Sequence, residues 1–341
     1  MRADSNLVIF DLGLRAGELV EVRSKEEILA TLDERGRLEG LPFMPEMFQH
    51  CGQRLRVGRR ADKTCDTINQ NRLRRMFRTV HLDGVRCDGG QHGGCQATCL
   101  IFWKEAWLKR VSGRDADAAK NGSPSTVGPS NRPGPGSSRC TEAAVLAASQ
   151  VSGEPGNPGG TRYSCQATDL LEASVPLPWW DVRQYVRDLL TGNVRPWDMA
   201  KAGLISAFNA LQRRRGGGTY PHVGKTDQTK TPTEKLDLQP GELVQIKSRE
   251  EIFATLDPRK RNRGLSFDVE MVGYCGGTYR VLKRAETIID ERTGKMIRLP
   301  NDCIILEGVY CVGHLSRNRL FCPRAIYPFW REIWLRRVNT K

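Results

Sequence analysis

The sequence predicts an α+β protein built from two tandem copies of one small unit of sheet and helix. Blocks of the chain recur at a fixed offset. Each copy opens on an alternating strand followed by a capped helix. The composition changes abruptly between the copies. Gly17-Glu18-Leu19-Val20 returns as Gly241-Glu242-Leu243-Val244, and Glu26-Glu27-Ile28 returns as Glu250-Glu251-Ile252. Gly40-Leu41, Phe43 and Glu46-Met47 return as Gly264-Leu265, Phe267 and Glu270-Met271. The offset is 224 (241 − 17 = 224) and still holds at Cys51/Cys275 and Cys87/Cys311. It slips to 227 at Cys95/Cys322 (322 − 95 = 227) and stays there at Trp103/Trp330 and Trp107/Trp334. Residues that both copies keep are those the unit needs to fold; residues that only one keeps mark places for a special role.

Residues 15–111 form the first copy and 239–338 the second, each long enough to bury its own core. Glu18-Leu19-Val20-Glu21-Val22 and Glu242-Leu243-Val244-Gln245-Ile246 are mostly alternating and read as half-buried strands opened by a glycine. Ser24 caps a short helix with Glu27 at the capping-box position. Leu55-Arg56-Val57 and Tyr279-Arg280-Val281 are further strands. Asp83-Gly84 and Glu307-Gly308, set between apolar residues, predict tight hairpin turns. Tryptophans at i, i+4 predict a closing helix over 95–111 and 322–338.

Between the copies, residues 112–160 are rich in Gly, Ser, Pro, Asn and Ala and predict a disordered linker. Residues 161–213 predict a helical pair packed on the copies. Val175-Pro176-Leu177-Pro178-Trp179-Trp180 is an extended lead-in, since proline pushes its predecessor out of the helical region. Asp181 then caps a helix through Leu190 with Val182, Tyr185, Val186 and Leu189 on one face. A second helix fits 197–211, with Ala202, Ile205, Phe208 and Leu211 at helical spacing and Gly216-Gly217-Gly218 as its stop.

The glycine-led strand opening several short curled strands resembles small barrels of the KOW or Src-homology-three type, over roughly the first sixty residues of each copy. That resemblance implies two barrel-like sheets and no particular activity.

The formal charge is +14 over 341 residues. The denser basic runs are Arg72, Arg74, Arg75 and Arg78, then Arg213-Arg214-Arg215, then Arg259, Lys260, Arg261 and Arg263. Such a surface attracts nucleic acid, anionic lipid or acidic polymers without choosing among them, or is simply a solvated face. No apolar stretch approaches the ~20 residues of a membrane span. The first residues have an early Asp4 and only a short apolar run, so no secretory signal is read and a cytoplasmic protein is expected. Eleven cysteines then read as thiols or metal ligands.

Three cysteines recur per copy: Cys51, Cys87 and Cys95, then Cys275, Cys311 and Cys322. Thiolates suit zinc, which takes four nitrogen or sulfur donors in structural sites, so two zinc sites are expected. Cys322-Pro323 would place a thiol at a helix N-cap, where thiol pKa falls. Candidate fourth ligands are His92 or Cys99 in the first copy and His314 in the second. Cys303 is disfavoured by strand geometry. Shared cysteines also fit as small buried hydrophobes or as a redox pair.

The first copy alone keeps His50, Cys65, His81 and Cys99, where the second has Tyr274, Ile289, Ile305 and Ile326. An active site would therefore lie in the first copy, with His50, Cys65 and His81 as its reactive groups. The chain has no phosphate loop, nucleophile elbow or His-Glu-x-x-His. These observations predict a non-catalytic, metal-stabilised tandem module binding an anionic or protein partner. The alternative is a metal- or thiol-dependent biosynthetic enzyme.

Overall fold

A computed structural model describes residues 11–69, 72–111, 140–151, 160–316 and 319–338. The first copy forms a curled, half-barrel antiparallel sheet. Its strands are β1 (Leu19–Val22), β2 (Arg54–Arg60), β3 (Thr79–Arg86), β4 (Leu100–Lys104) and β5 (Leu108–Arg110), in the order β4-β3-β2-β1-β5. Register slips between Val57 and Arg59, and again between His81 and Arg86, mark the irregularities that let the sheet curl. Helix α1 (Lys25–Leu29) follows β1, and the Ser24–Glu27 capping box is formed in both directions.

The closing helix expected over 95–111 is absent. Leu100–Lys104 is a strand, Glu105–Trp107 a single 3-10 turn, and Leu108–Arg110 a second strand. The run Leu100-Ile101-Phe102-Trp103 suits a strand buried on both faces, and this preference overrides the helical spacing of the tryptophans. Both tryptophans still reach one core, because the 3-10 turn carries the chain from one edge strand of the curled sheet to the other. Phe43 meets Trp103 and Trp107 edge-on at 6.3 and 5.1 Å, and Trp107 Nε1 donates to Thr31 Oγ1 at 3.1 Å. Asp83-Gly84 is likewise no hairpin turn. It lies inside β3, where the register slips and Gly84 takes φ +70°.

The expected linker lies mostly outside the described residues. Residues 140–151 belong to the fold, however. Thr141 caps helix α2 (Glu142–Ser149), whose Val145 is buried in the first copy's core. The insert then runs through a strand, Val175–Pro176, paired with Leu73–Arg75 of the first copy. The helical pair is formed as α3 (Arg183–Leu190) and α4 (Pro196–Arg215), and Gly216 at φ +71° ends α4. Three of the four arginines in the first basic run are spent holding this insert or its surroundings. Arg74 donates to Ser174 Oγ and to the carbonyls of Leu171 and Ser174, Arg75 pairs with Asp181 at 2.7 Å, and Arg78 pairs with Glu39.

In the second copy, β6 (Leu243–Ile246), β7 (Thr278–Arg284), β8 (Ile304–Leu306) and β9 (Leu335–Arg337) form a sheet ordered β8-β7-β6-β9. Here too the closing helix expected over 322–338 gives way to a 3-10 turn, Glu332–Trp334, and a strand. Leu243 pairs with Arg280 as Leu19 pairs with Arg56, each 224 residues on. Phe267 meets Trp330 and Trp334 at 6.1 and 5.4 Å, and Trp334 Nε1 donates to Thr255 Oγ1. Helix α5 (Arg249–Phe253) carries the same capping box as α1.

Matching positions of the two copies face each other. Thr67 meets Glu291 (291 − 67 = 224), and Arg292 donates to the Ile68 carbonyl at 2.9 Å (292 − 68 = 224). The Cys65 amide donates to Cys322 Sγ at 3.2 Å, while the amide of Ile289, the counterpart of Cys65, donates to Cys95 Sγ at 3.4 Å. A self-complementary contact of this kind is how two-fold dimers associate.

Gly40 and Gly264 test the docking of the insert. Both have positive φ, +76° and +83°. A Cβ on Gly40 would lie 2.7 Å from the Glu172 carbonyl oxygen in the insert, whereas one on Gly264 would meet nothing within 4 Å. Both alanine variants carry the left-handed penalty of about 1–2 kcal/mol. Gly40→Ala is expected to lower the denaturant midpoint further than Gly264→Ala, and equal shifts would contradict this packing.

Candidate metal centre

The 3-10 turn Pro45–His50 carries Glu46 and buries it against the end of β3. Cys87 follows β3 directly. His92 sits in the next loop, whose tightness depends on glycine: a Cβ on Gly89 would fall 2.0 Å from the Cys95 carbonyl oxygen. Within that loop the amides of His92 and Gly94 both donate to the Gly89 carbonyl. Ligand atoms of Glu46, Cys87 and His92 thereby come within 4.8 Å of one another, close enough to share one metal ion. It is the one such group among the described residues.

The hydrogen bonds at this site are incompletely satisfied. Cys87 Sγ–H donates to Glu46 Oε1 at 3.0 Å, and His92 Nδ1 lies 3.1 Å from the same oxygen without hydrogen-bond alignment. Glu46 Oε2 is buried and has no partner. His92 Nε2 lies 3.2 Å from the Ser164 carbonyl, which can only accept, so Nε2 carries the hydrogen. With a hydrogen on Nε2, His92 turns Nδ1 toward a carboxylate oxygen. That arrangement calls for a cation between them, whether a proton or a metal ion.

Burial alone would raise Glu46, but the adjacent His92 imidazole and the Cys87 contact hold it below the ordinary carboxyl value. Burial, then the Glu46 charge, push the Cys87 thiol far up. A cavity of about 40 Å³ beside these groups is also lined by Cys95, Cys99 and Cys165. Burial pushes Cys99 up to about 12 and Cys165 up to about 11. The insert closes the site: Gly93 packs under the Tyr163 ring, and Gln166 bonds both the amide and carbonyl of Phe102 on β4.

The other candidate ligands lie elsewhere. Cys51 is half-buried within the electrostatic reach of Lys25. Cys95 accepts from Ile289, and Cys99 lines the cavity without joining the triad. In the second copy, Cys275 Sγ lies 4.0 Å from the Met271 carbonyl, and His314 packs edge-on against Phe321. Cys322 does not start a helix. It accepts from the Cys65 thiol and from the Cys65 and Arg324 amides, which hold it below the ordinary thiol value while Cys65 is raised. Cys311, pushed up to about 12 by burial and then by Glu270, has no neighbouring imidazole ligand set among the described residues.

Glu270 explains the difference. Its carboxylate takes the amides of His314, Leu315 and Ser316 at 3.2, 2.7 and 2.8 Å. The slip from 224 to 227 falls in this loop, whose backbone amides take the Glu270 carboxylate, whereas in the first copy Cys87 and His92 approach Glu46.

His50, Cys65 and His81 fall in three separate environments. His50 Nδ1 lies 3.2 Å from Gln53 Oε1. His81 is buried, bonds the Ile101 carbonyl at 2.8 Å, and is pushed down to about 3 by burial. Cys65 pairs with Cys322. No hydrogen bond joins any two of the three among the described residues.

The sequence reading also passed over Glu46 as a ligand and over Glu105 and Glu332. Glu105 is fully buried and takes the amides of Leu12, Gly13 and Leu14 together with Arg60. Glu332 takes those of Leu236, Asp237 and Leu238 together with Arg284. Recurrence was the available signal, since Glu46 recurs at Glu270 and Glu105 at Glu332. No helix among the described residues is long and apolar enough to cross a membrane. No protein-family model and no curated protein sequence matches this chain.

Proposed function

We propose that this protein is a non-catalytic binding module for an anionic or protein partner. Two copies of one unit form its scaffold, and a single zinc ion at Glu46, Cys87 and His92 fixes the start of the insert to the first copy. The observation that carries the metal part is the convergence of Glu46, Cys87 and His92 ligand atoms within 4.8 Å, with Glu46 Oε2 and His92 Nδ1 buried and without hydrogen-bond partners. A carboxylate, a thiolate and an imidazole are the donor set zinc accepts. The Nε2–H contact to the Ser164 carbonyl is the outer contact that orients a ligating histidine. A fourth donor is available from water or from a thiol lining the same cavity. Bound zinc would neutralise the buried carboxylate and make Cys87 a thiolate.

Three protein donors plus water would also suit a hydrolytic enzyme, the second reading. Against it stands size. A space of about 40 Å³ beside the triad holds a water molecule readily and leaves little room for an organic substrate. The exposed run Arg259, Lys260, Arg261 and Arg263 supports an anionic partner, since the first copy's run is largely spent on internal contacts.

A melting experiment tests the metal-stabilised reading. Chelator should lower the melting temperature of the full-length protein, and one equivalent of zinc should restore it. A midpoint unmoved by either treatment would overturn the reading.

A further inference from the structure

The helical pair faces the wrong way for a core. The residues α3 buries are Gln184 and Asp188, and those α4 buries are Ala202 and Asn209. Polar contacts hold α3 to the first copy. Asp188 pairs with Lys63 at 2.5 Å, Asn193 bonds the Arg60 backbone on both sides, and the Thr191 carbonyl takes the Ala16 amide. Several apolar side chains point outward: Val182, which lines the groove beside the helices, is 67% exposed, and Leu204 at 73% and Trp197 at 77% lie outside that groove. Between the helices and the second copy runs an open groove of about 1150 Å³, floored by Tyr185, Met199, Leu320 and Phe321 and edged by Trp180. An apolar surface of this extent on a soluble scaffold marks an interaction site.

The rim determines the partner's charge. Arg213 and Arg214 line the groove and are exposed, with no ion pair among the described residues. Arg195, Lys201 and Arg215 add exposed positive charge along α4. We infer that the groove binds an amphipathic helix of a partner protein, with apolar residues on one face and carboxylates beside them. This rests on the binding-module reading and supplies its partner class. Helix α4, at 20 residues, offers a track about 30 Å long. A second copy of this chain fits poorly, since a two-fold contact would set Arg213 and Arg214 against their own equivalents. Single-stranded nucleic acid fits less well too. Bases could stack on the aromatic rings, but the aliphatic part of the lining, Met199, Val269 and Leu320, offers them nothing, and the Asn209 amide is already spent on both backbone groups of Tyr220 at 2.6 Å.

The test uses the full-length protein and three labelled probes. One is a helical peptide of about 18 residues with leucine on one face and glutamate beside it. The second replaces its glutamates with lysine, and the third is an oligodeoxythymidylate of matching length. The acidic peptide should bind. Trp180→Asp with Val182→Asp, and separately Arg213→Glu with Arg214→Glu, should each weaken it by about tenfold or more. The arginine variant should also flatten the salt dependence. These side chains are exposed, so melting temperatures should stay at the wild-type value. Failure of the acidic peptide to bind, tighter binding of the lysine peptide or the oligonucleotide, or self-association lost in the Asp variant would each overturn the proposal. If chelator still lowers the melting point after such a failure, the groove assignment falls and the metal-stabilised scaffold stands.

Discussion

Glu332→Ala is expected to lower stability by about 3–5 kcal/mol, the range for removing one partner of a buried ion pair. The carboxylate is fully buried and closes the second copy. It gathers three successive amides, from Leu236, Asp237 and Leu238, and the Arg284 guanidinium at 2.5 Å. Alanine would leave three donors and a cation facing an empty space. Glu332→Gln keeps one acceptor oxygen and should cost less. Glu105→Ala should behave alike in the first copy, since Arg60 and the amides of Leu12 and Leu14 stand in equivalent places. The effect depends on pH. Burial would raise the Glu332 carboxyl, but the backbone amides and Arg284 prevail and hold it below its ordinary value. Its contribution is therefore present above the unfolded carboxyl pKa and is lost as pH falls through the lower folded value. Denaturant midpoints measured from neutral to acid pH should converge for wild type and Glu332→Gln. Parallel curves would contradict the assignment.

The second large effect belongs to His92→Ala. It leaves the Glu46 carboxylate buried beside Cys87 alone, and a loss of about 3–5 kcal/mol is expected. The second copy provides an internal control. Glu270 keeps its three amide donors whatever stands at 314, so His314→Ala should cost far less. Cys311→Ser should cost only a modest desolvation penalty, because Cys311 lies outside any metal-binding group among the described residues. Comparable losses for His92→Ala and His314→Ala, read from chemical denaturation, would show that the two loops do the same work.

Local signals carried far in this chain. Ser24 and Glu27 announce the capping box, and Gly216 announces the end of α4. The alternation at 18–22 and 242–246 fits the strands at Leu19–Val22 and Leu243–Ile246. Long-range chemistry was less legible. Trp103 and Trp107 have helical spacing, yet a strand and a 3-10 turn bring them together, because an apolar aromatic run prefers a doubly buried strand. The apolar periodicity of α3 and α4 correctly located the helices but not their orientation. Lys63 and Arg60 pull the polar face inward through Asp188 and Asn193. For the site, Cys87 and His92 were among the candidates, but recurrence pointed to Cys51 and Cys95 as their companions. Recurrence reports what both copies require, whereas the Glu46, Cys87 and His92 cluster is found in one copy among the described residues. Glu46 was hidden for the converse reason. It recurs at Glu270, where backbone amides satisfy it.

Destabilisation by His92→Ala would follow from a bare Glu46–His92 ion pair as well as from a ligated metal. Metal content separates the two. Elemental analysis of full-length protein purified under reducing conditions should find close to one equivalent of zinc per chain. His92→Ala and Cys87→Ser should lose it, and Cys311→Ser should retain it. Protein without bound transition metal, or zinc retained by His92→Ala and lost by Cys311→Ser, would contradict the account.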